Sequence, residues 1–222
     1  MAKKEKEKLT KLEKRFKTMR ALEPFVFRPF LPYKKHGHTE PFTGRAYIFV
    51  GNHRSIFDVV FSAVATDRPV HYLAKKELWE KGIFKGFVRK CECVPVSRDG
   101  TDVKAVMLSM KHLKNGECIS IFPEGKRNKS KDVFLPFKGG AAAISIKTQT
   151  PIIPFVHYKK LRIFRRTHVI YGEPLEFTDY YGKRLTEEDI KRCDEILLNR
   201  MYELYNELKD IVTNKKKKRG KI

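Results

Sequence analysis

Ala46-Tyr47-Ile48-Phe49-Val50-Gly51-Asn52-His53-Arg54-Ser55-Ile56-Phe57-Asp58 runs from a β-branched and aromatic stretch through a glycine into a second apolar stretch. Residues 46–50 have the composition of a buried strand, and Gly51 marks the turn that stops it. Phe57, Val59, Val60 and Phe61 begin a segment that reads as a helix, with Asp58 near its positive N-terminal end. One strand-to-helix turn therefore carries both an imidazole, His53, and a carboxylate, Asp58. That pairing suits a general base: the carboxylate fixes the ring tautomer, and the other ring nitrogen takes a proton from a hydroxyl. The same residues also describe a histidine closing a turn beside a helix-capping aspartate. With seven histidines in the chain, a His-x-x-x-x-Asp spacing arises by chance roughly one time in three, so the pair needs support from elsewhere.

Outward from this stretch, short apolar runs alternate with helical periods. Strands are expected at 46–50, 70–74, 92–97, 118–122, 152–157 and 168–171, and helices at 56–66, 77–89, 103–114 and 139–147. A last helix opens at Thr186, with Asp189 three residues on as half of a capping box and an apolar stripe from Ile190 to Ile211. The alternation predicts an α/β fold with a largely parallel sheet flanked by helices. Binding groups then belong at the carboxyl ends of the strands.

The 222 residues suffice for one sizeable core and an appended arm. Leu9, Leu12, Phe16, Met19 and Leu22 recur at spacings of three and four among charged residues, an amphipathic helix that Pro24 should end. The aromatic, proline-broken segment 25–33 follows. This composition fits an N-terminal amphipathic helical arm, residues 1–33, lying in a membrane interface; docking of the arm on the body is the alternative. Residues 34–213 form the main domain, and 214–222 read as a basic, disordered tail.

Lysine and arginine outnumber aspartate and glutamate by 48 to 26, a formal charge of +22. Residues 1–20 carry nine basic and three acidic side chains, and 214–222 carry six basic and none acidic. An anionic partner is implied, and the family of candidates includes anionic lipid, phosphorylated metabolites and nucleic acid. Concentration of the charge at the two ends, without a nucleic-acid motif or stacking platform, speaks against nucleic acid. Cys91, Cys93, Cys118 and Cys193 form no Cys-x-x-Cys pair and read as reduced and structural, with Cys91 and Cys93 on one side of a strand. No metal site is expected. The N-terminus lacks the apolar core of a signal peptide, and no run approaches the length of a membrane-spanning helix. A peripheral or monotopic location on the cytoplasmic face of a membrane is expected.

If the sheet is parallel, each strand delivers polar groups to one edge. His53 follows the first strand, Lys75 and Lys76 the second, Arg98 the third, and Pro123-Glu124-Gly125-Lys126-Arg127 the fourth. Fixed cations beside a general base describe a site for a phosphorylated alcohol, to which arginine offers a planar fork of donors.

These blocks, Asn52 to Asp58, Ala74 to Leu78, Val94 to Arg98, Phe122 to Arg127 and Pro151-Ile152-Ile153-Pro154, resemble in order and spacing those of the glycerophospholipid acyltransferases. The likeness covers about residues 45–175 and is greatest to the lysophosphatidic acid acyltransferases. It implies transfer of a fatty acyl group from acyl-CoA or acyl carrier protein to the free hydroxyl of a lysophospholipid, making phosphatidic acid in phospholipid biosynthesis. It makes His53 the base and Asp58 its orienting partner. It assigns Arg98, Glu124, Gly125 and Arg127 to the substrate phosphate, and Pro151, Ile152, Ile153 and Pro154 to the border of an acyl channel. A proline-bracketed buried strand explains that last block equally well. Lys75, Lys76 or a backbone N–H near Gly51 are the candidates for the oxyanion donor. No cofactor is implied beyond the acyl donor as co-substrate. The chain departs from the pattern in two ways: Lys126 and Asn128 stand where small hydroxyl residues are usual, and Ser97 replaces an acidic one. Both bear on the acceptor, for which glycerol 3-phosphate or another lysolipid is the alternative. A non-catalytic basic binding protein is the rival from another class.

Overall fold

The computed structural model describes residues 11–80, 85–97, 102–138 and 140–219. In chain order it contains α1 (Lys11–Val26), β1 (Tyr33–Gly37), β2 (Ile48–Gly51), a 3₁₀ turn (Ile56–Asp58), α2 (Val59–Ala63), β3 (Val70–Lys75), α3 (Glu77–Glu80), α4 (Lys85–Lys90) and β4 (Val94–Val96). There follow α5 (Val103–Lys114), β5 (Cys118–Ile121), α6 (Ala141–Thr148), β6 (Ile152–His157), β7 (Thr167–Tyr171) and α7 (Glu187–Arg219). The strands form one sheet in the order β1-β7-β6-β2-β5-β3-β4. Every neighbouring pair is parallel except β6 with β7. This is the α/β architecture expected from the alternation of strands and helices.

Alternation along β2 builds the two cores. Ile48 and Val50 face one layer, where Ile119, Ile152, Val156 and the α7 residues Leu197, Met201, Leu204 and Leu208 are buried with them. Phe49 faces the other, among Phe61, Ile153, Phe155 and Tyr171. Each such side chain stabilises the fold by roughly 1.5–3 kcal/mol on burial, so β2 is held from both sides. Its last residue, Gly51, lies opposite Phe155 of β6, and a Cβ there would overlap the phenyl ring.

Several sequence expectations need correction. Pro24 does not end the first helix, which runs to Val26: a proline already has a helical φ and here removes one bond within the last turn. The strand β1 went unread because Tyr-Lys-Lys-His-Gly is polar; it pairs with β7 at the sheet edge, where lysines are usual. Leu31 and Tyr33 are buried in the body, so the arm joins the domain before residue 33. Cys91 and Cys93 flank a turn at Glu92, whose φ is 46°, rather than sharing a strand. Residues 214–219 continue α7 instead of starting a disordered tail, and lysine is among the better helix formers.

Candidate active site

At its C-terminal end β2 hands the chain to Asn52, whose side chain is buried against the last residue of β6. Asn52 Nδ2 donates to the His157 carbonyl at 3.1 Å, and the His157 N–H donates to Asn52 Oδ1 at 3.0 Å. This two-point clamp fixes where the chain leaves the sheet. His53 comes next, and its main chain is held on both sides. Its N–H donates to Glu124 Oε1 at 2.9 Å, and its carbonyl accepts from the Asn128 N–H at 2.6 Å. The imidazole stacks on Phe122, with ring centres 4.3 Å apart, and its side chain is 20% exposed.

His53 Nδ1 meets Asp58 Oδ2 at 3.0 Å. The same oxygen accepts the N–H groups of Arg54 and Ser55, each at 2.6 Å, and Ser55 completes a capping box with Asp58. Asp58 thus caps the turn and meets the ring at the same time. Burial pushes the Asp58 carboxyl up, but the charge of His157, with the hydrogen bonds of His53 and Ser55, holds it well below the usual carboxylate range. An ionised Asp58 accepts a hydrogen bond from the Nδ1–H, which leaves the lone pair of His53 on Nε2. That nitrogen can accept a hydroxyl proton.

Glu124 and Gly125 occupy the turn after β5, the strand beside β2. The Glu124 carboxylate is buried, and its two oxygens accept the N–H groups of His53 and Leu135. With both oxygens on backbone donors it does not present itself to a phosphate, as the sequence reading had it; it braces the histidine. Gly125 adopts φ 64°, and the space a Cβ would need is filled by the aliphatic chain of Lys138, not by open room for a ligand. Lys126 and Arg127 are exposed beyond the turn. Asn128 is buried, its side chain bonded to Ser130 and to the Asp132 carbonyl, while Arg54 Nη2 donates to the same Asp132 carbonyl.

Lys75 ends β3 and Lys76 follows it, both exposed at the edge that carries His53. β3 is two strands from β2, about 10 Å across the sheet. Arg98 lies outside the described residues, just beyond β4. Ile152 and Ile153 are fully buried on opposite faces of β6, so they cannot together border one channel; the block is a core strand bracketed by Pro151 and Pro154.

Among the described residues, one group of three brings possible metal ligands within 4.8 Å: His71, His112 and Glu117. It lies at the starts of β3 and β5, the edge opposite His53. The two imidazoles stack with centres 3.6 Å apart and planes at 21°. Both rings approach Glu117 Oε2, at 3.2 and 2.7 Å.

Sequence reasoning missed His157, Asn52 and Asn128 as parts of this site. Asn52 adjoins the histidine in sequence, while His157 gave only the signal of a lone histidine closing an apolar strand.

The family model described as Acyltransferase matches residues 33–158. A 1-acyl-sn-glycerol-3-phosphate acyltransferase of Bacillus subtilis is 31% identical over 168 residues, covering 73% of this chain and 82% of that protein. One from Streptococcus pneumoniae is 30% identical over 177 residues, covering 77% of this chain and 64% of that protein. The crystal structure of the 1-acyl-sn-glycerophosphate acyltransferase PlsC from Thermotoga maritima superposes with a TM-score of 0.59 at 24% identity, covering 87% of this chain and 78% of that one, a likeness of fold. Matched over more than half its length, and spanning most of a relative at this identity, the chain belongs to the acyltransferase family.

Proposed function

We propose that the protein transfers a fatty acyl group from a thioester, acyl-CoA or acyl carrier protein, to the free hydroxyl of lysophosphatidic acid, yielding phosphatidic acid. The observation that carries this reading is the 3.0 Å pairing of His53 Nδ1 with a buried, ionised Asp58. The acceptor is taken from the names of the relatives in Bacillus subtilis and Streptococcus pneumoniae.

His53 Nε2 removes the acceptor's hydroxyl proton as its oxygen bonds to the thioester carbon. The tetrahedral intermediate then expels the thiolate, which takes the proton back from His53 and leaves as the thiol. A thioester is already activated, so no enzyme nucleophile is required. A positioned base contributes about 10²- to 10⁴-fold. Lys75, Lys76 and Arg127, at or beyond strand ends on the His53 edge, are the cations for the acceptor phosphate, with Arg98 joining them through the family resemblance.

Topology supports a membrane face on the His53 side. β7 and β1 begin at the edge where β6 ends, so α1 and the 158–166 hairpin share that edge with His53. Phe16 of α1 packs against the body, but the end of the arm is open: Leu22 is 50% and Phe25 77% exposed, as are Phe30 at 52% and Phe164 at 72%. Phe30 and Phe164 pack at 5.7 Å and are tied by a backbone bond of 2.6 Å. Arg28, Arg162, Arg165 and Arg166 lie near them in sequence, a composition suited to an anionic bilayer surface. Among the described residues no helix is long and apolar enough to cross a membrane.

The test incubates purified protein with detergent-dispersed lysophosphatidic acid and palmitoyl-CoA beside a His53→Ala control, following thiol release and lipid product. Phosphatidic acid made only by the unsubstituted protein is the expected result. Thiol release without it moves the acceptor to glycerol 3-phosphate or another lysolipid. Absence of transfer from both CoA and carrier-protein thioesters overturns the reading.

A further inference from the structure

His157, the last residue of β6, is completely buried, and every polar atom it faces is an acceptor. Nδ1 lies 3.1 Å from the Lys159 carbonyl, and Nε2 lies 3.1 Å from the Asn52 carbonyl and 3.4 Å from Asp58 Oδ1. Either neutral tautomer would set a ring lone pair against a carbonyl oxygen in a site closed to water. Only the imidazolium, a donor at both nitrogens, satisfies all three contacts. Asp58 Oδ1 has no hydrogen bond of its own, so it depends on that charge, while Oδ2 serves His53, Arg54 and Ser55.

We propose that His157 is a positioning residue for acyl transfer: a permanently charged imidazolium that neutralises Asp58 from behind and so keeps His53 a free base. The inference rests on the reading of His53 as the base. A dyad with an uncompensated carboxylate orients its histidine but also tightens that histidine's hold on a proton, which removes the base as pH falls. With His157 charged, the Asp58–His157 pair is neutral, and orientation comes without that attraction.

The other groups that bear on the pair are few. Around His157 stand Phe61 from α2, at 5.4 Å between rings, and the neutral Asn52 from the end of β2. Around His53 stand Asp58, the Glu124 carboxylate from the β5 side and the neighbouring Arg54, whose guanidinium is engaged with the Asp132 carbonyl. Burial pulls the His157 imidazole down and Asp58, with the Lys159 and Asn52 carbonyls, pulls it up, with a net upward direction.

His157→Gln removes the charge and keeps a polar side chain. The acid limb of the kcat/KM profile for acyl transfer is expected to move up by roughly one pH unit, so activity near the acid limb falls about tenfold while the alkaline plateau falls less. A uniform loss at all pH values, with the limb unmoved, would make His157 structural only and overturn the proposal. Nitrogen-15 correlation spectra of the imidazole rings test it without substrate. Both His157 nitrogens should carry protons across the neutral pH range in the unsubstituted protein. A neutral His157 in that range overturns the proposal even where the variant misfolds. If these spectra give the expected result and no acyl acceptor is turned over, the acyl-transfer reading fails and the buried charge stands.

Discussion

The backbone N–H of Asn128 donates to the carbonyl of His53 at 2.6 Å, so the loop after β5 holds the candidate base by its main chain rather than by its ring. The Asn128 side chain in turn holds that loop, accepting from Ser130 and donating to the Asp132 carbonyl. Asn128→Ala removes the second set of bonds and leaves the first. A stability loss of about 1–3 kcal/mol, measured by urea unfolding, should accompany a several-fold drop in kcat. An unchanged kcat in the destabilised variant would mean that the loop does not govern His53.

Glu124 and Arg127 are separated by three positions but should fail differently. Glu124→Gln leaves either the His53 or the Leu135 N–H facing an amide NH₂, so kcat falls while KM for a phosphorylated acceptor changes little. Arg127→Ala, an exposed cation lost beside the site, raises KM with kcat nearly kept. Steady-state kinetics on both variants separate a brace from a phosphate contact. The reverse pattern would restore Glu124 to the ligand.

Asp58→Asn keeps the shape of a side chain that is fully buried but leaves a neutral amide among three donors and an imidazolium. Leaving a buried charge unpaired costs about 3–5 kcal/mol, and the wrong His53 tautomer becomes accessible. Turnover should fall by about 10²- to 10⁴-fold, with thermal denaturation confirming that the remaining enzyme is folded. Turnover within tenfold of the unsubstituted protein would remove Asp58 from the catalytic account.

The strands β2 to β7 were legible in order because their apolar runs are bounded by glycine, proline and charged residues, and the Thr186–Asp189 cap closes with bonds of 3.0 and 3.1 Å. The histidine–aspartate pair was legible because both residues lie on one local turn. What was hidden depends on strands far apart in sequence. His157 reaches Asp58 only because β6 pairs with β2 and extends past Gly51. Glu124 looked like a ligand because no sequence shows that Leu135 folds back onto it. The strand β1 was hidden by its own lysines, since a sheet edge tolerates what a core strand does not.

Glu117 gives the fold an acid-sensitive point away from the site. Burial pushes its carboxyl up, but hydrogen bonds from His112 and His71 outweigh burial and bring it down to about 2. A depressed carboxyl stabilises the fold above its ordinary value of 4.5 and loses that contribution as pH falls towards about 2. Glu117→Gln should therefore cost about 2 kcal/mol near neutrality and flatten the stability profile between those limits. Chemical denaturation across that range makes the check, and an unchanged acid slope would sink the prediction.

Phe30 and Phe164 join the N-terminal arm to the β6–β7 hairpin on the His53 edge, so the membrane face should need both. If the arm alone inserted, Phe164→Ser would bind vesicles like the unsubstituted protein. If the two form one surface, Phe30→Ser and Phe164→Ser each weaken binding to phosphatidylglycerol-containing vesicles, and the double variant loses little more than the sum of the singles. Burying a phenyl ring is worth about 2 kcal/mol, so each substitution should reduce the partition coefficient some 10- to 30-fold in a sedimentation assay. Activity towards a short-chain, water-soluble acceptor should survive, because neither ring touches His53 or Asp58. Loss of that soluble activity, or vesicle binding untouched by Phe164→Ser, would refute a shared membrane surface.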